Sequence, residues 1–476
     1  MTKQEAVIKY IEDNYLQFNR LRHDVVSDKL QIRLSGEEAM RLLGERQEYW
    51  REMTKYDINS IVCHCAQECN ANITSREVMT ALQSDLIPDV HPLREYILSL
   101  PPFTPDQPDW IDFVASQVRI KPLPESATDR PKGLLERTSC CETTALSDRT
   151  KGAERPMESL SESCERSLSE LGERSNRQSR SNSSQSERSE ADRLWRVCFK
   201  KWFVAMVASW MKDEVVNHQV LVLIGKQGIY KTTWLEHLIP PHLRDYACKL
   251  ANSSDLNKDE RLRIAEFGLI SLDEIDSMNS RELNQLKSII TATDVNERAA
   301  YAYTKERRVR LASFCASGNR RDFLTDITGN RRWLPFEVES IQSPFTTILP
   351  YERMYAQAWA LAQDPFFSYW FDLDEIEVLE QHNQHFRDES NEEQLLPILF
   401  DVPAEGKGEF LTTAQISERL VTYGNIKKPM ALSRLGMLLG AHGFQKKTIG
   451  VQRLRGWLVY QRSMDEINAN KRLYAK

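Results

Sequence analysis

From residue 115 to residue 194 the chain contains no Phe, Trp or Tyr. Within 151–190 it carries twelve Ser, eight Glu and six Arg instead. Such a segment cannot bury enough apolar area to offset the entropy of ordering it, so 125–189 reads as a disordered linker. Glu balances Arg there, which favours a solvated tether over an RNA-binding arm. Long apolar runs are also lacking. The densest, 202–211, is half of the roughly 20 residues that span a bilayer, which excludes a membrane helix. The first fifteen residues include acids and lack the apolar core of a signal peptide. Nine cysteines in 476 residues make no disulfide scaffold, so reduced thiols and a cytoplasmic location are expected. A net charge of −6 excludes a uniformly basic nucleic-acid coat while leaving local basic surfaces open.

What is present divides into five parts. Residues 1–124 form a small, mainly helical unit. Helical patterns run over 4–15, 35–56, 57–70 and 74–86, the last opening with Thr74 and Glu77 as a capping box, and 25–33 is extended. Residues 190–345 have an α/β rhythm. An amphipathic helix rich in Trp and Phe covers 193–212, and three apolar strands follow at 220–224, 269–272 and 310–316. Apolar strands separated by helices imply a parallel sheet, with ligands at the carboxyl ends of the strands. Residues 346–404 form an acidic helical connector, with twelve acids against two Arg from 351 onward. Residues 405–476 are basic, thirteen Lys and Arg against five acids. Their order, helix 413–420, helix 430–442 and strands 444–449 and 457–461, is that of a winged helix.

The chemistry-bearing residues follow the three strands. Gly225-Lys226-Gln227-Gly228-Ile229-Tyr230-Lys231-Thr232 fits a phosphate-binding loop, with Thr233 next. Such a loop needs backbone N–H groups around the phosphates, a Lys on the β and γ oxygens, and a hydroxyl on Mg²⁺. Tyr230 stands where a second Gly is expected, and Gly228 is the alternative source of close backbone approach. The second strand delivers Asp273 and Glu274, suited to holding Mg²⁺ and polarising a water, or else to capping the next helix. The third ends at Asn319, placed to orient that water. Arg331 and Arg332 stand where a ring ATPase could present an arginine finger to its neighbour, although such a pair also binds surface acids. Between the second and third strands, Arg298, Tyr301, Tyr303, Lys305, Arg307 and Arg308 suit a DNA-facing hairpin or a solvated one. Lys446, Lys447, Arg453 and Arg455 surround the last hairpin, where a wing would meet phosphates. Cys63, His64, Cys65 and Cys69 have no second ligand pair nearby and read as structural.

With these residues assembled, 193–338 resembles the virulence-associated protein E family, whose ATPase domain is similar to superfamily 3 helicases. The likeness lies in GKQGIYKTT, LISLDEID, NERAAYAY, SFCASGN and above all TGNRRWLPFEV. The stretch 88–120 looks like the helical region that precedes this ATPase. The resemblance implies an AAA+-like core, ATP and Mg²⁺ as cofactors, and ring oligomers, hexamers foremost. It also implies action on single-stranded or forked DNA in mobile-element replication. By position, Lys231 and Thr232 become the Walker A pair and Asp273 and Glu274 the Walker B pair. Asn319 becomes the sensor and Arg331 or Arg332 the finger. A nucleotide-switched DNA-binding initiator is the alternative, and a metabolic P-loop kinase is disfavoured because no lid or second substrate site is evident.

Overall fold

The computed structural model describes residues 2–35, 49–123, 178–250, 258–297, 306–325, 330–403, 408–449 and 453–468. The chain divides into two compact units: Met1–Asn319 with Arg332–Val378, and Arg320–Arg331 with Leu379–Lys476.

The first unit begins with α1 (Lys3–Ile11), whose Thr2 and Glu5 form a capping box. A small sheet follows: β1 (Leu21–Asp24), β2 (Lys29–Leu34) and β3 (Tyr49–Glu52) are antiparallel. Helices α2 (Lys55–Glu68) and α3 (Ser75–Leu82) come next, and β4 (Asp89–Val90) pairs with β1 in parallel. Most of the regular secondary structure described in 1–124 is helical, and one stretch of the helical reading is corrected. Residues 49–52 form a strand where 35–56 read as helix, because pairing with β2 overrides local propensity, and 36–48 lie outside the described residues. Val7, Ile11, Leu21, Ile32, Ile61, Cys65, Val78 and Leu82 form this region's core. Burial pushes the Cys65 thiol up to about 12, the state of a packed apolar thiol.

Helices α4 (Pro92–Ser99) and α5 (Trp110–Ala115) lead to β5 (Val118–Ile120). The long helix α6 (Gln178–Met211) starts within the expected linker, so 178–189 is helical, while 124–177 lies outside the described residues. A repeat of seven or eight positions puts Trp195, Trp202 and Trp210 on related faces of α6, and all three are fully buried. Burying an indole requires a partner for its N–H. Trp195 donates to Ala115 O (2.9 Å), Trp202 to Phe314 O (3.1 Å) and Trp210 to Gly268 O (3.1 Å).

The main sheet takes β6 (Val220–Ile224), β7 (Ala247–Leu250), β8 (Leu269–Leu272), β11 (Ser313–Gly318) and β12 (Trp333–Ile341) as parallel strands. Interleaved are α7 (Lys231–Glu236), α8 (Lys258–Glu266), α9 (Ser280–Ile290) and the antiparallel pair β9 (Asp294–Glu297) and β10 (Glu306–Val309). The order across the sheet is β5-β12-β6-β11-β8-β7, with β5 antiparallel to β12. All five residues of β6 are buried, as its unbroken apolar run demands of a central strand. The third expected strand shifts from 310–316 to Ser313–Gly318. Arg310 stays outside it, fully buried, with its guanidinium on backbone carbonyls. Helices α10 (Tyr351–Gln363) and α11 (Leu373–Gln384) follow the sheet, and Tyr355 of α10 stacks on Trp210 at 5.6 Å.

The second unit is built from α12 (Asn391–Leu399), β13 (Phe400–Asp401), β14 (Glu409–Leu411), α13 (Thr413–Gly424), α14 (Leu432–Ala441), β15 (Gln445–Ile449) and β16 (Leu454–Gln461). Leu396 and Leu399 of α12 join Leu411, Ile416, Leu420, Leu435, Leu439 and Trp457 in one core. The expected boundary at 404/405 is thus corrected. Its composition shift marks where surface charge changes sign, whereas the fold follows the apolar residues of α12. Strand β16 pairs antiparallel with β13, β14 and β15.

Candidate functional site

Because β6, β11 and β8 are adjacent and parallel, their carboxyl ends open into one cleft of about 310 Å³. Gln227, Gly228, Tyr230, Lys231, Thr232 and Thr233 line it from the first loop, Asp273 and Glu274 from the second, and Ser317, Gly318 and Asn319 from the third. Of the loop residues expected there, Gly225 and Ile229 do not line the cleft. A Cβ on Gly225 would meet Val338 O at 2.9 Å and the Ile229 side chain at 3.0 Å, so these two pack inward against β12.

Gly228 has φ +83°, and Tyr230 has φ +67°. The sequence departure at Tyr230 therefore resolves in an unexpected way. Tyrosine itself adopts the left-handed conformation in which glycine is strain-free, at a cost on the order of 1 kcal/mol. Glu274 is left-handed too, at φ +52°. Backbone strain held on two of the three loops is what functional sites characteristically store.

The side chains interlock. Lys231 Nζ donates to Gly225 O (2.8 Å), Lys226 O (2.7 Å) and Asn319 Oδ1 (3.2 Å). Burial lowers the Lys231 pKa, against the opposing pull of Asp276 and Asp273. Ser317 Oγ donates to Asp273 Oδ1 (2.7 Å), and the single hydroxyl hydrogen of Thr232 serves either Ser317 Oγ (2.8 Å) or Asp273 Oδ1 (3.2 Å). Lys249, on β7, holds the other carboxylate oxygen at 2.8 Å. Burial pushes the Asp273 carboxyl up. Hydrogen bonds from Lys249, Ser317 and Thr232 outweigh it and leave the group below its ordinary value, an anion at neutral pH. The Asp273 hydrogen bond correspondingly raises Lys249. Asp276 accepts from the Asn319 amide at 3.1 Å and fixes the third loop.

Ser317, Lys249 and Asp276 were missed in the sequence. Ser317 had a usable signal, since it lies two residues from Asn319 and a strand's side chains repeat every second residue. Lys249 had none, because its role depends on β7 lying beside β8.

Other expected residues lie elsewhere. Arg331 is exposed and Arg332 half-buried in the turn Asn330–Arg332 before β12. Trp333 pairs with Val220, so Arg332 enters at the sheet end opposite the cleft, roughly 15 Å along the strands. Arg307 is exposed and paired with Asp294 at 2.7 Å. Arg308, expected at a DNA-facing tip, is held by acids of its own chain. It is mostly buried and bonds Asp28 at 2.8 Å with Glu266 at 3.7 Å, so its charge is compensated within the chain. Arg298, Tyr301, Tyr303 and Lys305 lie outside the described residues. Lys446 and Lys447 on β15, Arg453 in the turn before β16 and Arg455 on β16 are all exposed, Lys446 with its ammonium 5.8 Å from the Trp457 ring centre. Among the described residues no helix is long and apolar enough to cross a membrane.

Residues 175–394 match the virulence-associated protein E-like domain, which supports the kinship read from the motifs. No curated protein matches the chain. Solved structures similar to it include the apo C-terminal region of NrS-1, at 10% identity over 96% of this chain and 99% of that one, TM-score 0.38. The A form of the same region aligns at 10% identity over 96% of this chain and 100% of that one, TM-score 0.37.

Proposed function

We propose that the chain is an ATP hydrolase of the P-loop, superfamily 3 helicase-like type that acts on DNA during replication. The observation that carries the reading is the convergence of Lys231, Thr232, Asp273, Ser317 and Asn319 in one cleft. The loop amides around Gly228 cradle the phosphates. Lys231, whose ammonium rests on the Gly225 and Lys226 carbonyls within the loop, meets the β and γ oxygens. Thr232 Oγ1, Ser317 Oγ and Asp273 Oδ1 are a hard-oxygen set that fits Mg²⁺. Mg²⁺ bound there would neutralise charge developing on the transferred phosphoryl group. Glu274, exposed to the cleft, takes the proton of the attacking water, and Asn319 orients that water.

Arg332, at the opposite sheet end, is suited to serve a neighbouring subunit's cleft rather than its own, which favours a ring, a hexamer first. The second unit's order from β14 onward, strand, helix, helix and hairpin, is that of a winged helix, with Lys446, Lys447, Arg453 and Arg455 on its wing. A second reading is a nucleotide-switched DNA-binding initiator without processive unwinding. It is favoured by the ion pairs that Arg308 makes within the chain, while Lys446, Lys447, Arg453 and Arg455 stay exposed.

The test is ATP turnover with and without single-stranded DNA, alongside mass measured in ATP. Glu274→Gln should keep nucleotide binding and lose on the order of 10²-fold or more in rate. Parental turnover by Glu274→Gln would falsify its role as the base, and turnover without any DNA stimulation would favour the switch.

A further inference from the structure

The cleft has two unlike ends. Asp273, Ser317 and Asn319 stand on the β8 and β11 side of the first loop. On its other side lies β12, which runs parallel to β6, so the loop after Ile341 emerges beside the cleft. That loop carries Phe345, 71% exposed. The Phe345 ring sits edge-on to Tyr230 at 6.2 Å between centroids and edge-on to His237 at 5.7 Å. His237 lies one helical turn past Thr233, its Nδ1 2.7 Å from Thr233 O. Tyr230, itself 40% exposed, belongs both to this aromatic cluster and to the cleft lining.

A nucleoside triphosphate laid across the first loop has a direction. If its terminal phosphate faces Asp273 and Asn319, its base must leave on the opposite side, over Thr233 and toward β12. Three aromatic rings lie there, two of them substantially open to solvent, and none has a role in phosphate chemistry.

We infer that Tyr230, His237 and Phe345 form the platform on which the nucleotide's base stacks. The inference rests on the phosphate-loop reading above. The left-handed Tyr230 gains a function: the strained backbone turns an aromatic ring toward the base where glycine would offer none. Stacking selects for a flat ring rather than for a base edge, so the platform takes a purine for its larger face.

The experiment compares calorimetric binding of a non-hydrolysable ATP analogue and of inorganic tripolyphosphate, both with Mg²⁺, to the full chain. The parent should bind the analogue more tightly. Phe345→Ala should weaken the analogue about 10-fold or more, the usual scale for one base on one aromatic ring, and leave tripolyphosphate unchanged. Phe345→Trp should restore analogue binding, which a purely structural role would not predict. Equal loss of both ligands in Phe345→Ala, or no loss of either, overturns the platform. A parent that binds tripolyphosphate as tightly as the analogue overturns it as well, while sparing the phosphate-loop reading. That reading itself fails if tripolyphosphate binding survives Lys231→Ala, or if the parent binds neither ligand, in which case the platform falls with it.

Discussion

Replacing Arg310 with Met should destabilise the first unit by about 3 kcal/mol, an estimate that follows from what its guanidinium holds. Nε donates to Ala312 O at 3.0 Å, and Nη2 to Asn217 O at 2.9 Å. Nη1 donates to Ile290 O and reaches Ala292 O at 3.3 Å. Ile290 ends α9, so the cation also sits where the helix presents its negative pole. Burial alone drives the Arg310 pKa down to about 9, which leaves it charged at neutral pH but marks a desolvation penalty. Met would remove that penalty. It would also leave these carbonyls buried without a donor, at about 1–3 kcal/mol each when measured singly and less than additively together. A net loss of about 3 kcal/mol, at roughly 2–4 °C per kcal/mol, lowers the melting temperature by about 6–12 °C. Differential scanning calorimetry of the full chain measures it, with Arg310→Lys, which can serve fewer carbonyls, falling between parent and Met. A Met variant melting within about 2 °C of the parent would refute the argument and show that the desolvation penalty matches the bonds.

Two further outcomes are expected. His91 accepts the Arg94 amide at the start of α4, and burial, with Arg94 adding to it, lowers its pKa to about 4. Between about pH 6.5 and 4 the unfolded chain binds a proton that folded His91 does not, so this residue's contribution is complete above pH 6.5 and lost on acidification. Melting curves across that range should be flatter for His91→Gln than for the parent, and parallel curves would remove His91 from the account. On DNA, neutralising Lys446, Lys447, Arg453 and Arg455 should flatten the salt dependence of binding by up to about 0.7–0.9 in log–log slope for each phosphate left without its cation. Arg308→Ala should leave that slope unchanged, because Asp28 and Glu266 already compensate it; the reverse pattern would move DNA binding to the β9–β10 pair.

Much of the cleft was legible because each of its loops follows a strand whose residues are all apolar or small. Val220–Ile224 and Leu269–Leu272 stand as the apolar runs indicated, and Lys231, Asp273 and Asn319 follow from the loops beyond them. What was illegible depends on pairing across long sequence separation. A three-residue strand such as Val118–Ile120 carries too few positions to show a period, and its partner lies more than 200 residues on. Tyr49–Glu52 likewise gains its strand form from β2 rather than from its own pattern. Arg310 resembled the polar first residue of a strand, and only the meeting of α9, the Asn217 turn and β11 makes it a buried hub. The left-handed Tyr230 breaks a local rule that the sequence alone could register only as a departure.

The antiparallel edge strand changes what a break in the chain would do. Residues 118–120 are laddered to 338–341, and Lys121 Nζ reaches Glu337 at 2.5 Å. On the other side of 124–177, Arg196 pairs with Asp112 at 2.6 Å and Lys200 with Asp109 at 2.5 Å. The residues on either side of that stretch are thus anchored to the same body. A protease cut within 124–177 should therefore leave two polypeptides that travel together on a sizing column and part only in denaturant. Expressed as separate fragments, 1–123 and 178–476 should find each other, since each carries one side of a shared sheet.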